Sequence, residues 1–403
     1  MTILIVFGFV YLGMVLGRVP LLALDRTGIA LLGALILLAT EQVTPQDAWQ
    51  AVDVPTMGLL FGLMVLSAQF RLGGFYTAVT RRFATANISP AVLLALVIGV
   101  SGLLSALLAN DIVCLAVAPL LVEACARRRL HSVPYLLALA CAANIGSAAT
   151  LIGNPQNMLI GQRLQLSFAG YLLDGGVPAV LGMVVLWLVL RKEACQPAMV
   201  PRPVPDVHAP VFNIWQSGKG VLILLALVVS FLSFPIPREI LALGAAGLIL
   251  TSRQMHSRHM LGLVDWQLLI LFLSLFVVNH AFQSTSALPR TLTAMSQAGV
   301  DVHHPGWLFA VTVVLSNLVS NVPAVMLLLP AATHPLAGPV LALSSTLAGN
   351  LFIAGSIANI IVVDQADRLG IHISWRAHAR IGLPVTLLTL AIAGGWLVLR
   401  SLM

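Results

Sequence analysis

Long apolar stretches separated by short polar loops run through almost the whole chain. That pattern predicts helices in an apolar medium rather than strands or one-sided surface helices. Helices are expected over 3–17, 27–40 and 55–70. Two apolar arms follow, 89–108 and 112–126, joined at Ala109-Asn110-Asp111; then come an interrupted apolar segment over 133–161 and a helix over 176–190. At 191–217 the pattern gives way to a polar linker holding Pro197, Pro201, Pro203, Pro205 and Pro210. Beyond it the order recurs. Helices are expected over 219–234, 239–251 and 266–283, then arms over 306–319 and 323–332 meeting at Ser320-Asn321-Val322. A second interrupted segment covers 338–363, and a last helix 381–399.

The first interruption, 142–157, places Asn144, Gly146, Ser147, Thr150, Gly153, Asn154, Pro155, Gln156 and Asn157 where a lipid-facing helix would carry only apolar side chains. Pro155 removes a backbone donor and Gly153 loosens the helix, so the hydrogen-bond ladder should break there. The freed groups need partners, which a bound ion or solute can supply. The competing reading is a kinked helix whose amides satisfy their neighbours. A second copy argues against it. Ser105 to Asn110 pairs with Ser316 to Asn321, both arms carry a Pro nine residues on (Pro119, Pro330), and 153–157 pairs with Gly355-Ser356-Ile357-Ala358-Asn359.

At 59% hydrophobic and 9% charged residues, with mean hydropathy +0.99, the 403-residue chain is far from the roughly 25% charge of soluble domains. It is expected to be an all-α polytopic membrane protein. The net charge of +7 is scattered over short loops and does not suggest nucleic acid. Cys114, Cys125, Cys141 and Cys195 lack metal or redox spacing, and the first apolar run lacks the basic flank and cleavage site of a signal peptide. With the N-terminus outside, only Arg163, Arg238, Arg290 and Arg400 of the 21 Lys and Arg fall outside, and the other seventeen fall inside. Each half then has about five crossings plus an arm pair, read as a re-entrant hairpin, and the odd number inverts the second half. The expected organisation is a first transmembrane repeat over 1–190, a cytoplasmic linker over 191–217 and a second, inverted repeat over 218–403. Both termini are expected outside, in a bacterial inner membrane.

The candidate chemistry sits at the tips and breaks. Asp111 is an acid inside the apolar pattern, and such groups are functional candidates by default. Its alternative role is a helix cap near the surface. Asn110 and Asn321 occupy equivalent tips, the second beside Ser320. Asn144, Thr150, Gly153, Asn154 and Asn157 line the first break, and Ser345, Thr346, Asn350, Gly355, Ser356 and Asn359 the second. Neutral donors and open helix N-termini suit an anion, and nearby carbonyls suit Na⁺ near Asn110, Asn144, Asn321 and Asn350. No Lys or Arg falls inside the expected site. Loop histidines lack HExxH spacing, and no P-loop, nucleophile elbow or paired-carboxylate pattern makes a case for catalysis.

The two tips, Asn144-Ile145-Gly146 with Thr150 to Asn157, and Ala348-Gly349-Asn350 with Gly355 to Asn359 together resemble the ion transporter superfamily over nearly the whole chain. That group includes arsenite/antimonite efflux permeases, sodium–dicarboxylate and citrate carriers and a sodium/proton antiporter branch. The resemblance implies two inverted repeats with hairpins, elevator-type exchange of access and a homodimer. The dicarboxylate carriers bear Ser-Asn-Thr at both tips; here Ala109-Asn110-Asp111 is closer to the arsenite-permease branch. The expected function is secondary active transport of a small anion, an inorganic oxyanion or a carboxylate, coupled to H⁺ or Na⁺, with no other cofactor. The alternatives are an arsenite/antimonite efflux permease, an Na⁺/H⁺ antiporter and, from another class, an ion channel.

Overall fold

The structure, a computed structural model, describes residues 1–17, 24–196, 204–205, 210–252 and 254–402. Residues 197–203 and 206–209 of the expected linker, with Arg18, Arg202 and Arg253 of the charge count, lie outside the described residues; the ends of that linker belong to α10 and α11. Among those described, all regular structure is helical. The first half runs α1 (Thr2–Leu16), α2 (Arg26–Ala39), α3 (Pro45–Ala51), α4 (Val54–Leu72), α5 (Phe75–Thr85), α6 (Pro90–Leu107), α7 (Asn110–Arg127), α8 (Ser132–Ser147), α9 (Pro155–Arg163) and α10 (Phe168–Ala194). The second runs α11 (Ile214–Ser233), α12 (Arg238–Leu250), α13 (Ser257–Leu261), α14 (Trp266–Gln283), α15 (Ala287–Gln297), α16 (Pro305–Val319), α17 (Asn321–Leu328), α18 (Ala337–Ala348), α19 (Ile357–Arg368) and α20 (Trp375–Ser401). Two 3₁₀ turns, Leu329–Ala331 and Ile353–Gly355, flank α18.

The chain is an integral membrane protein. Six of its helices, α4, α6, α10, α11, α14 and α20, are long and apolar enough to cross a bilayer. Large apolar side chains such as Leu222, Val229, Leu387 and Val398 stay exposed along α11 and α20, as lipid contact requires. Helix starts follow local chemistry: Asp25, Asp53, Ser89, Asn213, Asp265 and Ser374 accept bonds from the first-turn amides of their helices.

The helices expected from apolar runs all form. Four short ones were not expected: α3, α5, α13 and α15. They are short or amphipathic, and they fall at the same places in both halves. The packing is reciprocal as well. Helix α2 lies on α14 and α4 on α12; α6 lies on α8 and α16 on α18; α7 lies on α19 and α9 on α17. Helices α10 and α20, the last of each half, pack together. The exchange is incomplete: α6 packs against α10, α5 against α7 and α4 against α9, whereas α16 with α20, α15 with α17 and α14 with α19 make no comparable contact among the described residues.

Candidate solute site at the two broken helices

The interrupted segments are two pairs of half-helices, α8 with α9 and α18 with α19. Breaking a helix frees carbonyls at the end of its first half, and burial makes each unpaired one costly. One Asn per break answers this. Asn157 Nδ2 donates to the carbonyls of Ser147 (3.3 Å) and Thr150 (2.9 Å) and lies 3.2 Å from Tyr171 Oη, which itself donates to the Ala148 carbonyl. In the second break Asn359 Nδ2 donates to the carbonyls of Gly349 (2.8 Å) and Phe352 (3.1 Å). Asn157 and Asn359 are the two residues that the match of 153–157 with 355–359 pairs. The second halves are capped alike: Asn154 Oδ1 accepts from Asn157 N at 2.8 Å and Ser356 Oγ from Ala358 N at 3.2 Å.

The two breaks also hold each other. Asn154 Nδ2 and Gln156 Nε2 donate to Thr346 Oγ1 at 3.3 and 3.1 Å, and Thr346 Oγ1 donates to Asn157 Oδ1 at 3.4 Å. Reciprocally, Ser356 Oγ donates to Asn144 Oδ1 at 2.9 Å, while Asn144 Nδ2 donates to Asn359 Oδ1 at 3.2 Å and to Asn350 Oδ1 at 2.9 Å. Both hairpin tips close on this centre. The Asn110 amide donates to the Gly153 carbonyl at 3.1 Å, and its Nδ2 to Asn144 Oδ1 at 3.3 Å. The Asn321 amide, oriented to satisfy its neighbours, donates to the carbonyls of Ser345 (3.1 Å) and Gly355 (3.0 Å) and accepts from Gln156 Nε2 at 3.2 Å. Thr150 Oγ1 donates to the Ala106 carbonyl in the first hairpin.

The N-termini of α7, α9, α17 and α19 therefore converge on one buried polar centre. Glycine permits the close approach: a Cβ on Gly153 would lie 2.5 Å from the Ser147 carbonyl oxygen and 2.7 Å from that of Ser105. Ser320, at the second tip, has φ 76° and ψ 161°, a region in which an L side chain is strained. Within this tight network Asn110 Oδ1, Ser105 Oγ and Asn350 Nδ2 are buried without a hydrogen-bond partner.

The site is not equally closed on its two sides. Thr150 in the first break is 4% exposed, whereas its counterpart Phe352 is 44% exposed. Arg26, at the start of α2, reaches the second break, with Nη2 3.5 Å from the Ala354 carbonyl. Arg26 thus borders the site without bonding into its network; the sequence marks it only as a loop charge. At the far end of α9, Arg163 pairs with Asp53 at 3.0 Å, Gln162 Nε2 donates to Glu239 Oε2 at 3.1 Å, and Arg238 Nη2 donates to the carbonyls of Gly161 and Leu166. At the far end of α19, Arg368 pairs among the described residues only with Asp364 of its own helix.

Asp111 does not bond into the network. It sits in the first turn of α7, a helix without a side-chain cap, and lies near enough to Asp265, the cap of α14, for their charges to interact. His378 was also missed by the sequence reading. It is buried behind the second break, its Nε2 is 3.0 Å from the Asn350 carbonyl, and the helix expected at 381–399 begins early enough to include it. Among the described residues no three His, Cys, Asp or Glu gather as metal ligands.

An all-helical membrane protein whose two hairpins meet two broken helices at a buried polar centre has the build of a solute transporter. The chain belongs to the citrate transporter family, whose pattern it matches over residues 3–341. It is 30% identical to a silicon efflux transporter, LSI3, of Oryza sativa subsp. japonica, over 96% of this chain and 95% of that one. It is 31% identical to the inner membrane protein YbiR of Escherichia coli (83% and 85% covered) and 29% identical to a 46 kDa membrane protein of Mycobacterium leprae (94% of each).

Proposed function

We propose that the chain is a secondary active transporter of a small oxygen-rich solute, an inorganic oxyanion or a carboxylate, driven by H⁺ or Na⁺. The observation that carries this is the convergence of four helix N-termini on one centre between the repeats. Their positive ends and free amides favour developed negative charge without a fixed cation. Buried oxygens without donors, Asn110 Oδ1 and Ser105 Oγ, fit a co-bound Na⁺ together with nearby carbonyls. Amides and hydroxyls dominate the centre and Arg26 only borders it, which favours the inorganic end of the range; the rice relative's name, a silicon efflux transporter, points the same way.

The reciprocal packing supports two repeats of opposite orientation, and the ion pairs agree with the charge-derived topology. Arg163 with Asp53 and Arg400 with Asp174 join residues assigned outside; Arg81 with Glu123 and Arg380 with Glu193 join residues assigned inside. In this reading both termini lie outside a bacterial inner membrane, and the tips end at the breaks as re-entrant hairpins. The outer ends are latched through α9, and the site opens inward past Phe352 and Arg26. Alternating access would move the hairpins and broken helices, elevator-fashion, until the α19 end meets Asp265 and Arg26 as the α9 end now meets Asp53 and Arg238. A test replaces the tips: Asn110→Ala and Asn321→Ala should each abolish transport while the protein folds normally. Wild-type transport by both variants would place the site elsewhere.

A further inference from the structure

A groove of about 870 Å³ lies between α5 and α11, away from the broken helices. Its floor and walls are apolar. Ile214, Gly218, Leu222 and Leu225 form one stripe of α11 opposite Phe75 and Val79 of α5, while Arg81 and Arg82 stand at its edge. The volume is within the roughly 300–1,000 Å³ of small-molecule pockets. No acid lines it. The neighbouring Glu123 is engaged by Arg127 at 2.8 Å and by Arg81 at 3.5 Å, whereas Arg82 is exposed and makes no ion pair among the described residues. Ile214, Leu222 and Leu225 are 79%, 70% and 56% exposed, so the stripe is open to whatever surrounds the helix. The space at Gly218 is free as well, since a Cβ there would meet nothing within 4 Å.

The chemistry along this groove is graded. The cationic end is on α5, an eleven-residue amphipathic helix that the charge-derived topology lays along the inner membrane surface, and the apolar stripe follows α11 into the membrane. We propose that the groove binds one anionic phospholipid of the inner leaflet, its phosphate at Arg82 and Arg81 and an acyl chain along the α11 stripe. Basic pockets between helices on the cytoplasmic side hold anionic headgroups in this way. A zwitterionic lipid offers the same chains but no net charge to the two guanidinium groups. The site ties the first repeat, through α5, to the second, through α11. This rests on the membrane setting and not on the identity of the transported solute.

The test is native mass spectrometry of the full-length protein, extracted from vesicles of equal phosphatidylglycerol and phosphatidylcholine. Wild type should retain one phosphatidylglycerol in preference to phosphatidylcholine. Arg82→Gln should lower that preference about five-fold, the contribution of one interfacial cation. Among the described residues Arg82 bonds to no other side chain, so this variant is expected to fold. Gly218→Trp puts an indole across the apolar stripe and should remove the bound lipid of either kind. Equal retention of both lipids by wild type would overturn the proposal, as would a preference that survives both substitutions. So would a second copy of the chain occupying the groove, seen as a lipid-free dimer that Gly218→Trp dissociates.

Discussion

Replacing Asn157 or Asn359 by Ala removes the donor that satisfies a broken helix. At Asn157 the substitution leaves the Ser147 and Thr150 carbonyls without their partner, and Thr150 is only 4% exposed. At about 1–3 kcal/mol for each buried unpaired group, the cost should be about 2–5 kcal/mol. At Asn359 the Gly349 carbonyl suffers equally, but the Phe352 carbonyl still accepts from the Gly355 amide at 3.0 Å and is not left unpaired. That variant should therefore cost about 1–3 kcal/mol. Asn157→Asp is nearly isosteric but offers no donor when ionised and one at most when protonated, so it cannot serve both carbonyls and should also destabilise. The assay is denaturation of purified protein in detergent, with helical content confirmed before the scan. The order Asn157 before Asn359 is the decisive outcome. A reversed order, or losses below about 0.5 kcal/mol at both sites, would show that the amides do not carry the breaks.

Three further outcomes follow from the geometry. Ser320→Gly should stabilise by about 0.5–2 kcal/mol, because relief of about 1–3 kcal/mol of strain exceeds the entropy cost of Gly, while Ser320→Ala should not; a destabilised Gly variant in the same denaturation would refute the strain. Gly153→Ala drives a Cβ to 2.5 Å from backbone oxygen and should lose more stability than Gly355→Ala, where the nearest atoms stand at 3.1 Å; equal melting temperatures would contradict this. Asp53→Asn keeps the cap on Thr56 N but loses the pair with Arg163, so the outer latch should weaken by about 0.5–1 kcal/mol, a shift of two- to five-fold in population. External maleimide should then label Thr150→Cys faster in the Asp53→Asn background, and an unchanged rate would remove the latch from the account.

The breaks and tips were legible because their residue types are out of place in an apolar run. Asn110, Asn144, Asn154, Asn157, Asn321, Asn350 and Asn359 all meet in one network, although a sequence cannot say that Asn144 reaches Asn350 and Asn359 across more than two hundred residues. The periodic apolar signal gave the long helices, and it failed for α5 and α15, whose eleven residues alternate polar and apolar faces too briefly to stand out. Arg26 escaped notice because a basic residue before an apolar run reads first as a topology signal; only the fold shows it at the second break. His378 escaped because the last helix begins within a polar stretch, 375–380, that its apolar part does not announce. The facing asymmetry has no sequence signature, since it is a difference between two halves built from the same order of elements.

The most direct measurement is uptake in proteoliposomes with an imposed H⁺ or Na⁺ gradient, offered a panel of inorganic oxyanions and carboxylates, for wild type and Asp111→Asn. The wild type should accumulate one of these solutes above equilibrium, and collapse of the gradient should release it. Asp111→Asn should still exchange the solute down its own gradient but lose uphill accumulation. If wild type only dissipates solute gradients whatever ion gradient is imposed, the protein is a channel and the transport account is wrong.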